Sequence, residues 1–247
     1  MTFAVGANIL AILSAQRTRM SDRTETPAQT PVASPSGWQA RKSAATRRQI
    51  VEATLRCFSK LGYFHATTPA IAEESGLSRG AMLHHFPTRP EVVRAAVEHL
   101  QAKRLKAFHS VMVGSSSTEN RAHAVLRAHW QQLRHPLYAV LIELYVAART
   151  DPELADILLP AERAFVREMR MVARKIVPEW RSAGANFDVG FDLMYYVLQG
   201  AALNMFLHGT SEPKEDVFRY LLAQLDELAL GRPIGAADRA GARAGKS

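Results

Sequence analysis

Between Thr67 and Phe86 the chain reads TTPAIAEESGLSRGAMLHHF, and within it Ser78, Arg79, Gly80 and Ala81 are the residues whose types could do chemistry. An arginine followed by glycine and alanine at the start of a helix combines a forked hydrogen-bond donor with side chains too small to obstruct it. Such an end can enter the major groove of duplex DNA, where the arginine fork matches the two acceptors on the edge of guanine. The elements that must hold it there are written in the same stretch. Ile71 and Ala72 face a core, Gly76 supplies a tight turn, Leu77 packs beneath it, and Ser78 N-caps a short second helix. The outline is a helix-turn-helix spanning 67–86.

The flanks complete a small helical domain. From Ala44 onward Ile50, Ala53, Cys57 or Phe58 and Leu61 recur at helical spacing, and Gly62 ends that helix. Thr67 or Thr68 then caps the next one, with Pro69 in its first turn and Glu73 and Glu74 on its exposed face. After Phe86, Thr88 is the cap and Pro90 the early proline of a long helix from Arg89 toward Val111, whose apolar positions are Val92, Val93, Ala96, Leu100 and Leu105. The run GSSST at 114–118 separates this domain from the rest of the chain.

The C-terminal portion reads as helices throughout: 119–134, 137–149, 152–177 with a break at Pro160, 187–208 and 213–230. The expected fold is all-α, with about nine or ten helices. An N-terminal helix-turn-helix domain over 44–104 precedes a helical bundle over 105–231. A Pro-, Ser- and Thr-rich leader over 1–40 and a basic tail over 232–247 read as disordered.

Charge follows this division. Residues 1–48 carry 7 basic and 2 acidic groups, 49–106 carry 8 and 5, 107–231 carry 12 and 15, and 232–247 carry 4 and 1. A positive N-terminal region joined to a slightly acidic bundle suits a polyanion-binding module beside a second module, although basic tails are also ordinary solvated ends. The apolar start TFAVGANILAILSA raises a signal-peptide or anchor reading. No basic residue precedes it and it is too short to span a bilayer, so the expectation is a cytoplasmic protein without a membrane partner, and Met20 is an alternative start.

Cys57 is the only cysteine, which excludes an intrachain disulfide; on an apolar helix face it reads as a small buried hydrophobe. His84 and His85 point about 100° apart on one helix and do not readily share an ion. The chain has no glycine-rich phosphate loop, HExxH motif or GxSxG elbow. No catalytic residue, metal or cofactor is therefore expected.

Along 187–208 apolar residues occupy two faces. Phe191, Tyr195, Leu198, Ala202 and Met205 form one, and Val189, Leu193, Tyr196, Val197 and Leu203 the other. A helix with two apolar faces needs two packing partners. With the stripe Val217, Tyr220, Leu221, Leu225 and Leu228 on the last helix, Val189, Leu193 and Val197 mark a homodimer interface, the alternative being a buried central helix of a monomer.

The run RRQIVEATLRCFSKLGYFHATTPAIAEESGLSRGAMLHHFPTRPEVV resembles the N-terminal domain of TetR-type transcriptional repressors over about 65 residues, and IELYVAARTDPEL resembles their ligand domains more loosely. The resemblance implies phosphate contacts from Arg47, Arg48, Thr67 and Thr68, and major-groove contacts from Ser78, Arg79, Gly80 and Ala81. Where the family has a tyrosine this chain has Leu83, so a phosphate contact passes to His84. Arg89 keeps the cation that the family supplies as lysine. The implied function is a repressor that binds an inverted-repeat operator as a homodimer and is released by a small hydrophobic or amphipathic ligand. The alternative is a DNA-binding activator or scaffold without an inducer. Polar groups set among apolar ones give the candidate ligand residues: His129, Trp130, Glu143, Tyr145, Arg167, Met171, Tyr196, Gln199 and Asn204.

Overall fold

In the computed structural model the described residues are 35–114, 121–176, 185–209 and 215–229, and they form nine α-helices and no strand. These are α1 (Pro35–Leu61), α2 (Thr68–Ser75), α3 (Arg79–His85), α4 (Arg89–Gly114), α5 (Arg121–Leu133), α6 (Leu137–Ala148), α7 (Pro152–Ile176), α8 (Ala185–His208) and α9 (Glu215–Ala229). Most of the leader, the tail and most of the 114–118 linker lie outside the described residues. The chain divides into two compact units, between Ala102 and Lys103, within α4.

In the first unit α1 packs on α2 and α3. Ile50, Ala53, Cys57 and Phe58 of α1 are buried with Ile71, Ala72, Met82, Phe86 and the α4 residues Val93, Ala96 and Leu100. Two glycines with positive φ, Gly62 at 77° and Gly76 at 70°, make the turns after α1 and α2, a backbone region costly for other L-residues. Helix α1 starts at Pro35, not near Ala44, so part of the expected leader is helical. Arg41 and Lys42 repeat the helix-forming composition of the next turn, and the Lys42 ammonium lies 5.3 Å from the Trp38 ring centroid.

In the second unit α6 packs on α7, while α5, α8 and α9 pack on one another. The core includes Leu126, Leu141, Leu158, Phe165, Phe187, Phe191 and Leu198. Helix α7 runs unbroken through Pro160. A helix-interior proline costs about 3 kcal/mol; here the ring is exposed, and burial of Leu154, Ile157, Leu158, Phe165 and Met169 on both sides of it holds the helix together. On α8 the two sequence-assigned faces separate as expected: Phe191, Tyr195, Leu198 and Ala202 are buried and Met205 half-buried, whereas Val189, Leu193, Tyr196 and Leu203 are exposed.

Candidate nucleic-acid interface and small-molecule cavity

The helix-turn-helix is fixed by short-range hydrogen bonds. Thr67 caps α2, its hydroxyl accepting from the Ala70 amide at 3.4 Å, and Ser78 caps α3 by accepting from the Ala81 amide at 3.2 Å. Between them the Gly76 and Leu77 amides donate to the Glu73 and Ala72 carbonyls. On the outer side of α2, Glu74 accepts from Arg56 at 2.6 Å and Lys60 at 2.8 Å, and those hydrogen bonds hold its carboxyl below its ordinary value. Glu74 thus ties α2 to α1 where a free surface carboxylate was expected.

Seated this way, α3 buries Met82 and leaves Arg79, Gly80, Ala81 and His84 exposed, with Leu83 half-buried. A Cβ added at Gly80 would meet nothing within 4 Å, so packing within the domain does not demand glycine there. Ser78, Arg48 and Thr67 are exposed as well, and Thr68 is half-buried. Two of the arginines expected at phosphates have work inside the domain. Arg47 donates to the His85 carbonyl, with its guanidinium 4.1 Å from the Phe86 ring centroid. Arg89 donates to the Tyr63 carbonyl at 2.7 Å and the Tyr63 hydroxyl at 3.0 Å, and stacks over that ring at 4.3 Å. Its planar fork clamps the loop between α1 and α2.

The second unit contains a cavity of about 440 Å³ lined by residues of α6, α7 and α8. Tyr145, Arg167, Tyr196 and Gln199 line it as expected for ligand residues, joined by Glu162, Arg163, Arg170, Asp192 and Tyr195. Trp130, Glu143, Met171 and Asn204 do not. The Trp130 ring meets Phe218 edge-on at 5.2 Å, Met171 and Asn204 are exposed, and Glu143 is only half-buried. His129 lies behind the lining, stacked on the Tyr195 ring at 5.1 Å.

Among the described residues of this unit the buried carboxylate is Glu162. Its Oε2 accepts from Arg104 Nη1 and its Oε1 from the Tyr195 hydroxyl, at 2.7 and 2.8 Å, and Tyr145 also hydrogen-bonds to it. Burial alone would raise this carboxyl, but the Arg104 charge and the donated hydrogen bonds outweigh it and hold it below its ordinary value. Burial, then the Glu162 charge, push both tyrosine hydroxyls upward, so they remain neutral donors. Full burial next to Arg104 pushes His129 down to about 3, leaving it uncharged. The network therefore forms a wall of fixed protonation states. Farther out, Arg170 is held by Asp188 and Asp192. Arg163 and Arg167 are exposed cations at the mouth.

Of the residues expected to pair two copies, Val189, Leu193, Val217 and Tyr220 are exposed and Val197 is half-buried. Leu221 and Leu225 are 4 % and 3 % exposed; they pack inside a single chain because that side of α9 lies on α5 and α8. The Leu228 side chain lies outside the described residues. Phe206 and Leu207, at 59 % and 65 % exposure, extend the apolar surface of α8 beyond the expected set. Among the described residues no group of three His, Cys, Asp or Glu side chains is arranged to hold a metal, and no helix is long and apolar enough to cross a membrane.

Among the described residues, all helical, a capped helix-turn-helix leaves the first turn of its second helix open, the arrangement with which HTH-type DNA-binding regulators enter a major groove. Residues 50–96 match the family of bacterial regulatory proteins called tetR. It is 26% identical over 165 residues to an uncharacterized HTH-type transcriptional regulator of Mycobacterium tuberculosis, covering 67% of this chain and 85% of that protein. It is 30% identical over 112 residues to the transcriptional repressor AcnR of Corynebacterium glutamicum, covering 45% of this chain and 55% of AcnR. A transcriptional regulator from Saccharomonospora viridis, crystallised with choline, shares the fold at a TM-score of 0.58 and 14% identity, over 74% of this chain and 96% of that one.

Proposed function

We propose that this protein is a ligand-responsive repressor that binds an inverted-repeat operator as a homodimer. The observation that carries the DNA-reading part is the open first turn of α3, where Arg79 is exposed and the space around Gly80 is empty. Arg79 reads a guanine edge in the major groove, which Ser78, Gly80 and Ala81 enter with it, and Arg48, Thr67, Thr68 and His84 meet phosphates. Arg47 and Arg89 support that surface from behind. The exposed apolar face of α8, with Val217 and Tyr220 of α9, pairs two copies and so repeats the recognition helix about one DNA turn away.

The 440 Å³ cavity is the ligand site on this reading. Its tyrosines give apolar contact with polar ends, which suits a small amphipathic molecule. A ligand preferring the non-binding arrangement by about 1–3 kcal/mol weakens DNA affinity roughly 5- to 150-fold.

Footprinting on the DNA flanking its gene, followed by fluorescence anisotropy across a salt series, tests the reading. The expected result is a protected inverted repeat, two chains per site, and affinity that falls steeply as salt rises. Equal binding to unrelated duplexes, or an affinity indifferent to salt, would overturn it.

A further inference from the structure

A second cavity in the same unit has no part in that reading. It measures about 450 Å³ and lies between the last turns of α4, the C-terminal end of α5 and the start of α6. Gln132 lines it, 8 % exposed, with its Nε2 and Oε1 both buried and neither hydrogen-bonded. A primary amide enclosed with both ends unpaired is unfavourable unless something supplies the missing acceptor and donor side by side. Tyr138, also lining and 5 % exposed, presents a hydroxyl that burial pushes up to about 12, so it too is a neutral hydrogen-bonding group.

The charge of the lining narrows the choice. Lys103, Arg104 and His135 bring basic side chains to the wall, and none of the lining residues is acidic. Leu133 and Leu137 add apolar wall. An organic cation gains nothing in such a field, whereas an anion is attracted.

We propose that this cavity is a second small-molecule site, taking a small organic carboxylate with a hydroxyl or amide beside the carboxylate. The carboxylate accepts from the Gln132 amide and lies in the field of Lys103 and Arg104. The neighbouring donor satisfies Gln132 Oε1. Arg104 lines this cavity while its ion-pair partner Glu162 lines the first one. An anion bound here therefore competes for the guanidinium that fixes the wall of the other cavity, and the two sites are coupled through one ion pair. The inference rests on neither the operator nor the dimer.

Calorimetric titration of the full chain with salicylate tests it, with benzyl alcohol and phenyltrimethylammonium as the neutral and cationic comparisons. The expected result is saturable binding of salicylate, one per chain, no measurable binding of the cation, and at least tenfold weaker binding in Gln132→Leu. The melting temperature of Gln132→Leu without ligand is expected to be equal to or above that of the parent, since an unpaired amide has been removed. Should that variant fail to melt cooperatively, Tyr138→Phe is read instead, with several-fold weaker binding expected. Absence of saturable salicylate binding overturns the proposal. So does preference for the cation, or a variant that binds like the parent. DNA binding is not read in this experiment, so its failure leaves the regulatory proposal standing.

Discussion

The Arg104 guanidinium and the Glu162 carboxylate, 58 positions apart in sequence, meet at 2.7 Å inside the second unit, where Glu162 also receives the Tyr195 hydroxyl at 2.8 Å. Desolvating two charges is unfavourable, and their attraction with the added hydrogen bonds offsets it. Removing one partner leaves the other charge buried alone. Arg104→Met or Glu162→Leu should each cost about 3–5 kcal/mol. The double variant should cost clearly less than the sum, because no isolated charge remains. Urea unfolding of the four proteins measures this; equal and additive losses would show that the pair is not the linked unit described.

His129 gives the protein a specific response to acid. Its folded-state value is about 3 against an ordinary 6.5, so on acidification the unfolded chain takes up the proton first. The neutral ring's contribution is complete above pH 6.5 and declines by about 1.4 kcal/mol per pH unit as pH falls toward 3. Glu162, held below its ordinary 4.5, contributes fully above that pH, and its share is lost only as pH falls through its own lower value. Between pH 6.5 and 5 the slope should therefore shrink in His129→Phe. Urea midpoints of parent and variant at pH 7, 6 and 5 check this, and parallel curves would remove His129 from the explanation.

The sequence made the first unit readable because local rules decide it. Ser78 and Thr67 are caps with a donor three residues on, and Gly76 has the left-handed turn that ends α2. The polar core of the second unit was harder to see, though it left a trace. Leu154, Leu158, Glu162, Phe165, Met169 and Ala173 form one buried stripe on α7, and Val93, Val97, Leu100, Arg104 and Phe108 form another on α4. A charge at a stripe position of each helix is the mark of a buried pair. Glu143 drew attention because its neighbours in sequence are apolar, yet its place on the α6 helix leaves it half-buried. Which charge met which depended on tertiary packing. The internal roles of Arg47 and Arg89 were invisible for the same reason: their acceptors are backbone carbonyls of remote segments.

The apolar face of α8 predicts an association. Val189, Leu193, Tyr196, Phe206 and Leu207 are exposed together with Val217 and Tyr220 of α9, and apolar residues clustered on the outside of a helix mark a contact with another chain. Leu193→Asp should place unpaired charges on both sides of a symmetric contact and shift sedimentation velocity from dimer to monomer. Leu221→Asp should instead unfold the chain, since Leu221 is buried within one protomer. A monomeric parent protein would refute the pairing.

Arg79→Ala separates reading from anchoring. Loss of a guanine-directed fork should cost about 1–3 kcal/mol and relax preference at one operator position. Arg48→Ala should weaken all sequences alike and reduce the salt slope by about one. Competition binding with single-base operator variants distinguishes the two, and an Arg79→Ala protein with unchanged base preference would demote that residue to a phosphate contact.

Gly80 provides the sharpest test because its demands in the fold and at DNA differ. It sits in the first turn of α3 with no atom near the position of an added Cβ, and alanine is favoured over glycine in a helix by about 0.5–1 kcal/mol. Gly80→Ala should therefore melt at the same temperature as the parent or slightly higher. On DNA the added methyl would stand between the α3 backbone and the base edges, and Gly80→Val would obstruct more. Operator affinity should drop in the order glycine, alanine, valine, while the alanine variant stays as stable as the parent. Thermal melts beside anisotropy titrations measure both quantities on the same samples. An alanine variant that binds as the parent does would mean that the first turn of α3 stands away from the groove, and the DNA-reading role would have to move to another surface.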